Sequence, residues 1–214
     1  MRRAMLMLAL SMGMAGAWLT LSAQLVVDRI VARIEDDIIT LSEVRELGRY
    51  QQLIEGRAGS DDRLLAELID QWIVNSEATA ARFPRPIEAE VNRELDGLEK
   101  QFASPEAYRA RLRELGLSAA VRRIVERQLY LVRYLDYKFR PAAQVDAEAI
   151  EKYYREQLTP QLTAAGQTVP PLESVEDEIR ELLTERQIGE RTSRWLDETR
   201  SRLKIELPAQ AKGT

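Results

Sequence analysis

The stretch Val26-Val27-Asp28-Arg29-Ile30-Val31-Ala32-Arg33-Ile34-Glu35-Asp36-Asp37-Ile38-Ile39-Thr40-Leu41-Ser42-Glu43-Val44 decides how the chain is read. Residues 26–35 alternate. Val27, Arg29, Val31 and Arg33 lie to one side, and Asp28, Ile30, Ala32 and Ile34 to the other. A period of two with β-branched residues predicts a strand. Asp36-Asp37 is the expected turn, and Ile38-Ile39-Thr40 a short return strand. Thr40-Leu41-Ser42-Glu43 then fits a capping box, where hydroxyl and carboxylate each satisfy a free backbone N–H. The pattern therefore changes from strand to helix within a few residues.

A second alternating run lies near the far end, Leu203-Lys204-Ile205-Glu206-Leu207. An isolated two-stranded hairpin is marginal in water. Pairing of residues 203–207 with residues 26–35 would relieve this and bring the chain ends into one lobe.

Between these runs the signals are helical. One helix carries Val44, Leu47, Gln51 and Ile54 and stops at Gly56. The next starts at Ser60-Asp61-Asp62 and shows an apolar stripe that includes Leu64, Leu68, Trp72 and Ile73, until Phe83-Pro84-Arg85-Pro86 ends it. Residues 87–102 repeat Val91, Leu95 and Leu98. Ser104-Pro105-Glu106 is a start signal for a short helix ending at Gly116. Ser118 is the expected cap of a long helix to Arg140, and Asp146 opens another. Residues 159–173, with Pro160, Gly166, Pro170 and Pro171, predict a loop. A last helix begins at Ser174. The fold class is thus mostly α: a helical core with a small β-sheet made by the N-terminal hairpin and the C-terminal strand.

Residues 1–23 have the form of a secretory signal, with Arg2 and Arg3 before an apolar stretch from Ala4 to Leu21. Ala15-Gly16-Ala17 satisfies the small-x-small rule for cleavage, and cuts after Ser22 or Ala23 are alternatives. The rival reading is an uncleaved anchor, since about 18 apolar residues just span a bilayer. Residues 24–207 form the expected single domain, closed by the helix and strand of residues 174–207. Residues 208–214 are expected to be a loose tail.

The 214 residues include no His and no Cys. That excludes a cysteine nucleophile, a Ser-His triad and a Cys/His zinc site. The ten glycines form neither GxxxxGK nor GxGxxG, so no nucleotide-binding loop is present. A formal charge of -4 argues against a nucleic-acid partner. No carboxylates are placed at a catalytic separation, so no catalytic residue, metal ligand or cofactor is assigned. Asp36-Asp37 reads as turn chemistry, and Glu88, Glu90 and Glu94 as a solvated face.

Residues 26–44 resemble the start of the mature SurA-type periplasmic chaperones: a valine-aspartate strand, a polar turn, then a serine-acidic-valine step into a helix. The resemblance continues through residues 64–83 and through Ser104-Pro105-Glu106 with Leu112, Leu115 and Gly116. It resumes from Glu178-Ile179-Arg180 to Trp195-Leu196 and in residues 203–207. No single motif is specific; their order is. Members of that family carry parvulin-type prolyl isomerase domains between the helical core and the closing helix. Here residues 159–173 occupy that slot, too short for such a domain and without its histidines. The resemblance implies the chaperone module alone, a trigger-factor-C-like helical core that is not an enzyme. Its implied partners are unfolded or nascent exported polypeptides, outer-membrane proteins among them, with no nucleotide and no nucleic acid. Membrane contact would come only through an uncleaved N-terminal segment.

Two other readings stand beside it. One is a divergent prolyl isomerase, since desolvation can assist proline isomerisation without an acid or base. The other is a structural adaptor with one dedicated partner.

The candidate client-binding residues are Tyr130, Tyr134, Tyr137 and Tyr153. Residues 118–140 show an apolar face through Val121, Ile124, Val125, Leu129, Val132 and Leu135, and the first three tyrosines form a second, aromatic stripe. A helix wet on one side needs only one such face. The stripe is therefore either a client-facing groove or packing against neighbouring helices. Tyr153-Tyr154 carries the same two readings, and Trp72 and Trp195 are expected in the core.

Overall fold

A computed structural model of the chain describes residues 28–208. The expected signal segment therefore lies outside the described residues, as do Val26 and Val27 and most of the expected tail. Strand β1 (Ile30–Ile34) buries Ala32 and Ile34 completely and exposes Arg33, as its alternation requires. It returns as β2 (Asp37–Thr40). The turn is Glu35-Asp36, one residue earlier than the sequence suggests. Glu35 takes a left-handed φ of 51° and donates its N–H to the Lys204 carbonyl at 3.0 Å. Asp37 is drawn into the strand, where its carboxylate accepts the Trp72 indole N–H at 2.8 Å.

The third strand, β3 (Ile205–Glu206), pairs antiparallel with β1, setting Arg33 opposite Glu206 and Ile34 opposite Ile205. The sheet order is β2-β1-β3, so the chain ends do close one lobe. The strand is shorter than the alternation of residues 203–207, because Leu203 turns into the core instead of extending the ladder.

Helix α1 (Leu41–Glu55) starts with the expected capping box. Glu43 Oε2 accepts from the Thr40 N–H at 2.8 Å, and Thr40 Oγ1 accepts from the Glu43 N–H. Gly56 ends it with φ 75°. The close approach to α2 (Asp61–Ala80) falls at Gly48, where a Cβ would stand 3.0 Å from Leu64 Cδ1. Ser60 caps α2, and Ser104 caps α4 (Pro105–Glu114). Between them α3 (Glu88–Glu99) begins with Ile87 as its cap residue.

Helix α5 (Val121–Phe139) is not capped by Ser118. Leu117 is fully buried, and its carbonyl accepts from the Ala120 and Val121 N–H groups at 2.9 Å each. Burial of that leucine sets the entry, and Ser118 is left exposed in the turn.

The segment 159–173 is not a loop throughout. Helix α6 (Ala147–Tyr153), capped by Asp146, runs through a wide turn at Tyr154–Leu158 directly into α7 (Thr159–Ala164). The Thr159 N–H donates five residues back, to the Tyr154 carbonyl. That widened turn admits Pro160, which has no N–H and whose ring would collide with the carbonyl four residues earlier in a regular helix. Gly166 ends α7 with φ 67°. Helix α8 (Leu172–Arg200) then starts two residues before Ser174, whose hydroxyl donates to the Pro171 carbonyl at 2.7 Å instead of capping.

The core has three joined parts. The sheet packs on α1 and α2 around Ile34, Val44, Leu64 and Ile73. Helices α3, α4 and α5 meet around Val91, Leu112, Leu117 and Ile124. Val74, Ala78, Tyr130, Leu131 and Tyr134 fill the seam between α2 and α5, with α8 closing over it through Trp195 and Leu196. Trp72 and Trp195 are half-buried at the margins of this core instead of inside it. Arg200, near the end of α8, pairs with Asp70 on α2 and ties the closing helix to the middle of the fold. No described helix is long and apolar enough to cross a membrane.

Candidate polypeptide-binding seam

Helix α5 needs two apolar faces because it packs against α2, α3 and α8 at once. The tyrosine stripe is mostly one of those packed faces. Tyr130 is 1% exposed and Tyr134 3% exposed, so neither is part of a surface groove. Both pack on Phe83, Tyr130 tilted and Tyr134 edge-on, with ring centres 5.9 and 5.5 Å away. The Tyr130 hydroxyl donates to the Phe83 carbonyl at 3.4 Å. Only Tyr137 reaches solvent, at 64% exposure, with its ring 5.2 Å from that of Phe83. Conversely Val132, expected on the packed face, is exposed. Tyr153 lies elsewhere, half-buried on α6 under the Arg186 guanidinium at 5.6 Å.

Phe83 is the hub that the sequence reading passed over as part of a helix-ending Phe-Pro-Arg-Pro segment. The signal was an aromatic residue held between a helix end and two prolines, where it must fold back on something.

Followed toward its other end, the same seam opens. A hollow of about 380 Å³ lies between β2, α2 and α5. Its apolar part is Ile38, Ile39, Leu68 and Trp72; its polar part includes Gln71, Asn75 and the guanidiniums of Arg85, Arg123 and Arg127. The Trp72 N–H is already held by Asp37, so the indole has no donor left to offer the hollow. Arg123, Arg127, Tyr130, Tyr134 and Tyr137 recur at helical spacing along one face of α5. From Arg127 to Tyr137 the seam is about 15 Å long.

The polar groups of the hollow differ in how they are satisfied. Arg123 grips both carboxylate oxygens of Glu46 at 2.9 Å. Arg85 stacks over the Tyr130 ring at 4.2 Å. Neither Arg85 nor Arg127 has an ion pair among the described residues, and the Arg127 Nε is buried without a hydrogen bond. Burial, and then the like charge of Arg123, hold Arg127 below the usual guanidinium pKa, with Glu46 and Glu43 opposing.

Gln71 gives its N–H to Glu67 Oε1 at 3.2 Å, which leaves its Oε1 buried and without a donor. Glu67 also accepts from Gln51 at 2.8 Å. Burial nevertheless raises its pKa, against the pull of those hydrogen bonds.

The chain matches no protein-family model and no curated protein. What the seam can do must therefore be argued from its chemistry. It has no nucleophile paired with a base, and no group of side chains able to hold a metal ion occurs among the described residues. It does offer apolar surface beside Asn75 and the guanidiniums of Arg85 and Arg127, which have no ion pair among the described residues. That is the complement of a polypeptide, whose backbone supplies both partners and whose side chains supply apolar area.

Proposed function

We propose that the protein is an ATP-independent exported chaperone that binds unfolded polypeptides, outer-membrane proteins among them, through the α2–α5 seam. The observation that carries this reading is the open hollow beside β2. There Ile38, 44% exposed, and the half-buried Trp72 stand next to Asn75 and to the guanidiniums of Arg85 and Arg127, which have no ion pair among the described residues. A guanidinium that meets a carboxylate or carbonyl forms a charge-assisted hydrogen bond, stronger than a neutral one, so a polypeptide that pairs these groups gains over one that does not. The resemblance to SurA-type chaperones supplies the client class and the periplasmic setting, and the signal-like residues 1–23 support export. Binding and release need no covalent step.

The test is to dilute an unfolded outer-membrane β-barrel protein into buffer containing the protein and no nucleotide. Light scattering should rise more slowly in proportion to the amount of protein, and less so with Trp72→Ala. Scattering identical to buffer alone would end this reading.

A further inference from the structure

The hollow at the sheet end of the seam holds more directed chemistry than an apolar grip requires. Strand β2 is a sheet edge. Because the Glu35 N–H donates to the Lys204 carbonyl, Arg33 and Glu35 turn their backbone groups toward β3, and Ala32 and Ile34 turn theirs toward β2. Ile38, opposite Arg33, therefore points its N–H and C=O away from the sheet. The Thr40 N–H, on the same open side, is already taken by Glu43. Among the described residues, Ile38 is left as the one member of β2 whose N–H and C=O both lack a partner and can meet an added strand. The hollow touches both Ile38 and Ile39. Consecutive strand residues point to opposite faces, so a cavity that meets both runs along the strand's edge.

We propose that an extended polypeptide segment docks here as a strand added to β2 and places an acidic side chain on Arg85 and Arg127; this rests on the polypeptide-binding reading above. Charge supports the occupant. In a chain of net charge -4, three arginines meet at this hollow, and the two without an ion pair among the described residues are Arg85 and Arg127. The lining carboxylates are Glu43, engaged by the Thr40 N–H, and Glu126. The carboxylate belongs to a side chain within the segment, not to a chain end. Strand addition carries the segment past Ile38 along the open edge of β2, so the residue that meets the arginines is an internal one.

The probe is a fluorescein-labelled, N-acetylated and C-amidated peptide of about twelve residues, alternating apolar and polar as a strand does, with one central Glu. Its partners are the same peptide with Gln or Lys there, and the Gln peptide with a free C-terminal carboxylate. Anisotropy with the full chain should show the Glu peptide binding about tenfold tighter than Gln, and Lys weakest. Arg85→Gln or Arg127→Gln should erase the Glu-over-Gln preference. Equal affinities for Glu and Gln overturn the acidic contact while leaving polypeptide binding standing. A gain seen only with the free carboxylate overturns it in favour of a chain end. No binding by any peptide, with no suppression of aggregation, removes both readings. Strand addition has its own test. Ile38→Val should keep binding and Ile38→Pro, which lacks the outward N–H, should lose it; equal binding by the two overturns strand addition. Backbone N-methylation scanned along the peptide asks the same of the unaltered protein: at least one position must abolish binding, and uniform tolerance overturns strand addition.

Discussion

The two ends of the α2–α5 seam are built on the same pair of helices and come out opposite. At one end Tyr130, Tyr134 and Phe83 fill the space, their rings tilted or edge-on at 5.5–5.9 Å. At the other, Gln71, Asn75 and Arg127 stand at equivalent places and leave a hollow. Aromatic rings fill volume and gain by being covered. Amides and guanidiniums turn their polar ends toward whatever can pair with them and do not fill the space as rings do, so a hollow remains. The comparison separates a structural half of the seam from a half left open to a ligand.

The largest expected effect lies at the closed end. Tyr130→Ala should cost about 3–5 kcal/mol of stability, the usual price of emptying a buried aromatic site, read as a fall in the urea midpoint. A loss below about 1 kcal/mol would mean that the closed end is not closed. At the open end the sign should reverse. Arg127→Met removes a buried, unpaired Nε and a charge beside Arg123, and should be neutral or stabilising by about 1 kcal/mol, while peptide binding weakens. Stability and binding falling together would show that Arg127 serves the fold.

A smaller effect should appear with pH. The Glu67 pKa is raised in the folded state by burial, so folding favours its protonated form. Its contribution is fully present below the ordinary carboxylate pKa and lost as pH rises through the raised folded value. Glu67→Gln should flatten stability across that acidic window, measured by urea unfolding at several pH values; an unchanged slope would remove Glu67 as its source. The smallest effect should be at Tyr137→Ser. The residue is 64% exposed, so stability should stay within about 0.5 kcal/mol while aggregation suppression weakens. Unchanged suppression would confine client contact to the sheet end.

The same division governs what could be read in advance. Caps and strand alternation were legible because each is a local contest: Thr40 with Glu43, Ser60, Ser104 and Asp146 all satisfy N–H groups three residues away. The pairing of the two chain ends was also legible, because an unpartnered hairpin needs a third strand. Ser118 and Ser174 failed as caps because Leu117 burial and a Pro171 start decided those entries. The supposed loop at 159–173 failed because Pro160 is housed by a widened turn five residues long, which no propensity announces. Of the candidate tyrosines, the sequence could show a stripe but not its direction.

A mostly helical chain with a three-strand closure, and without histidine, cysteine or a nucleotide-loop motif, can be read from the residues alone. Those are properties of residue type and short-range spacing. The inward direction of Tyr130 and Tyr134, their packing on Phe83, and the open edge of β2 at Ile38 beside Trp72 and Arg127 are set by packing between distant segments among the described residues. A helix with two apolar faces can bury either, and a strand can pair on either edge. Which face or edge stays open is set by neighbours distant in sequence, and here the open one carries the proposed function.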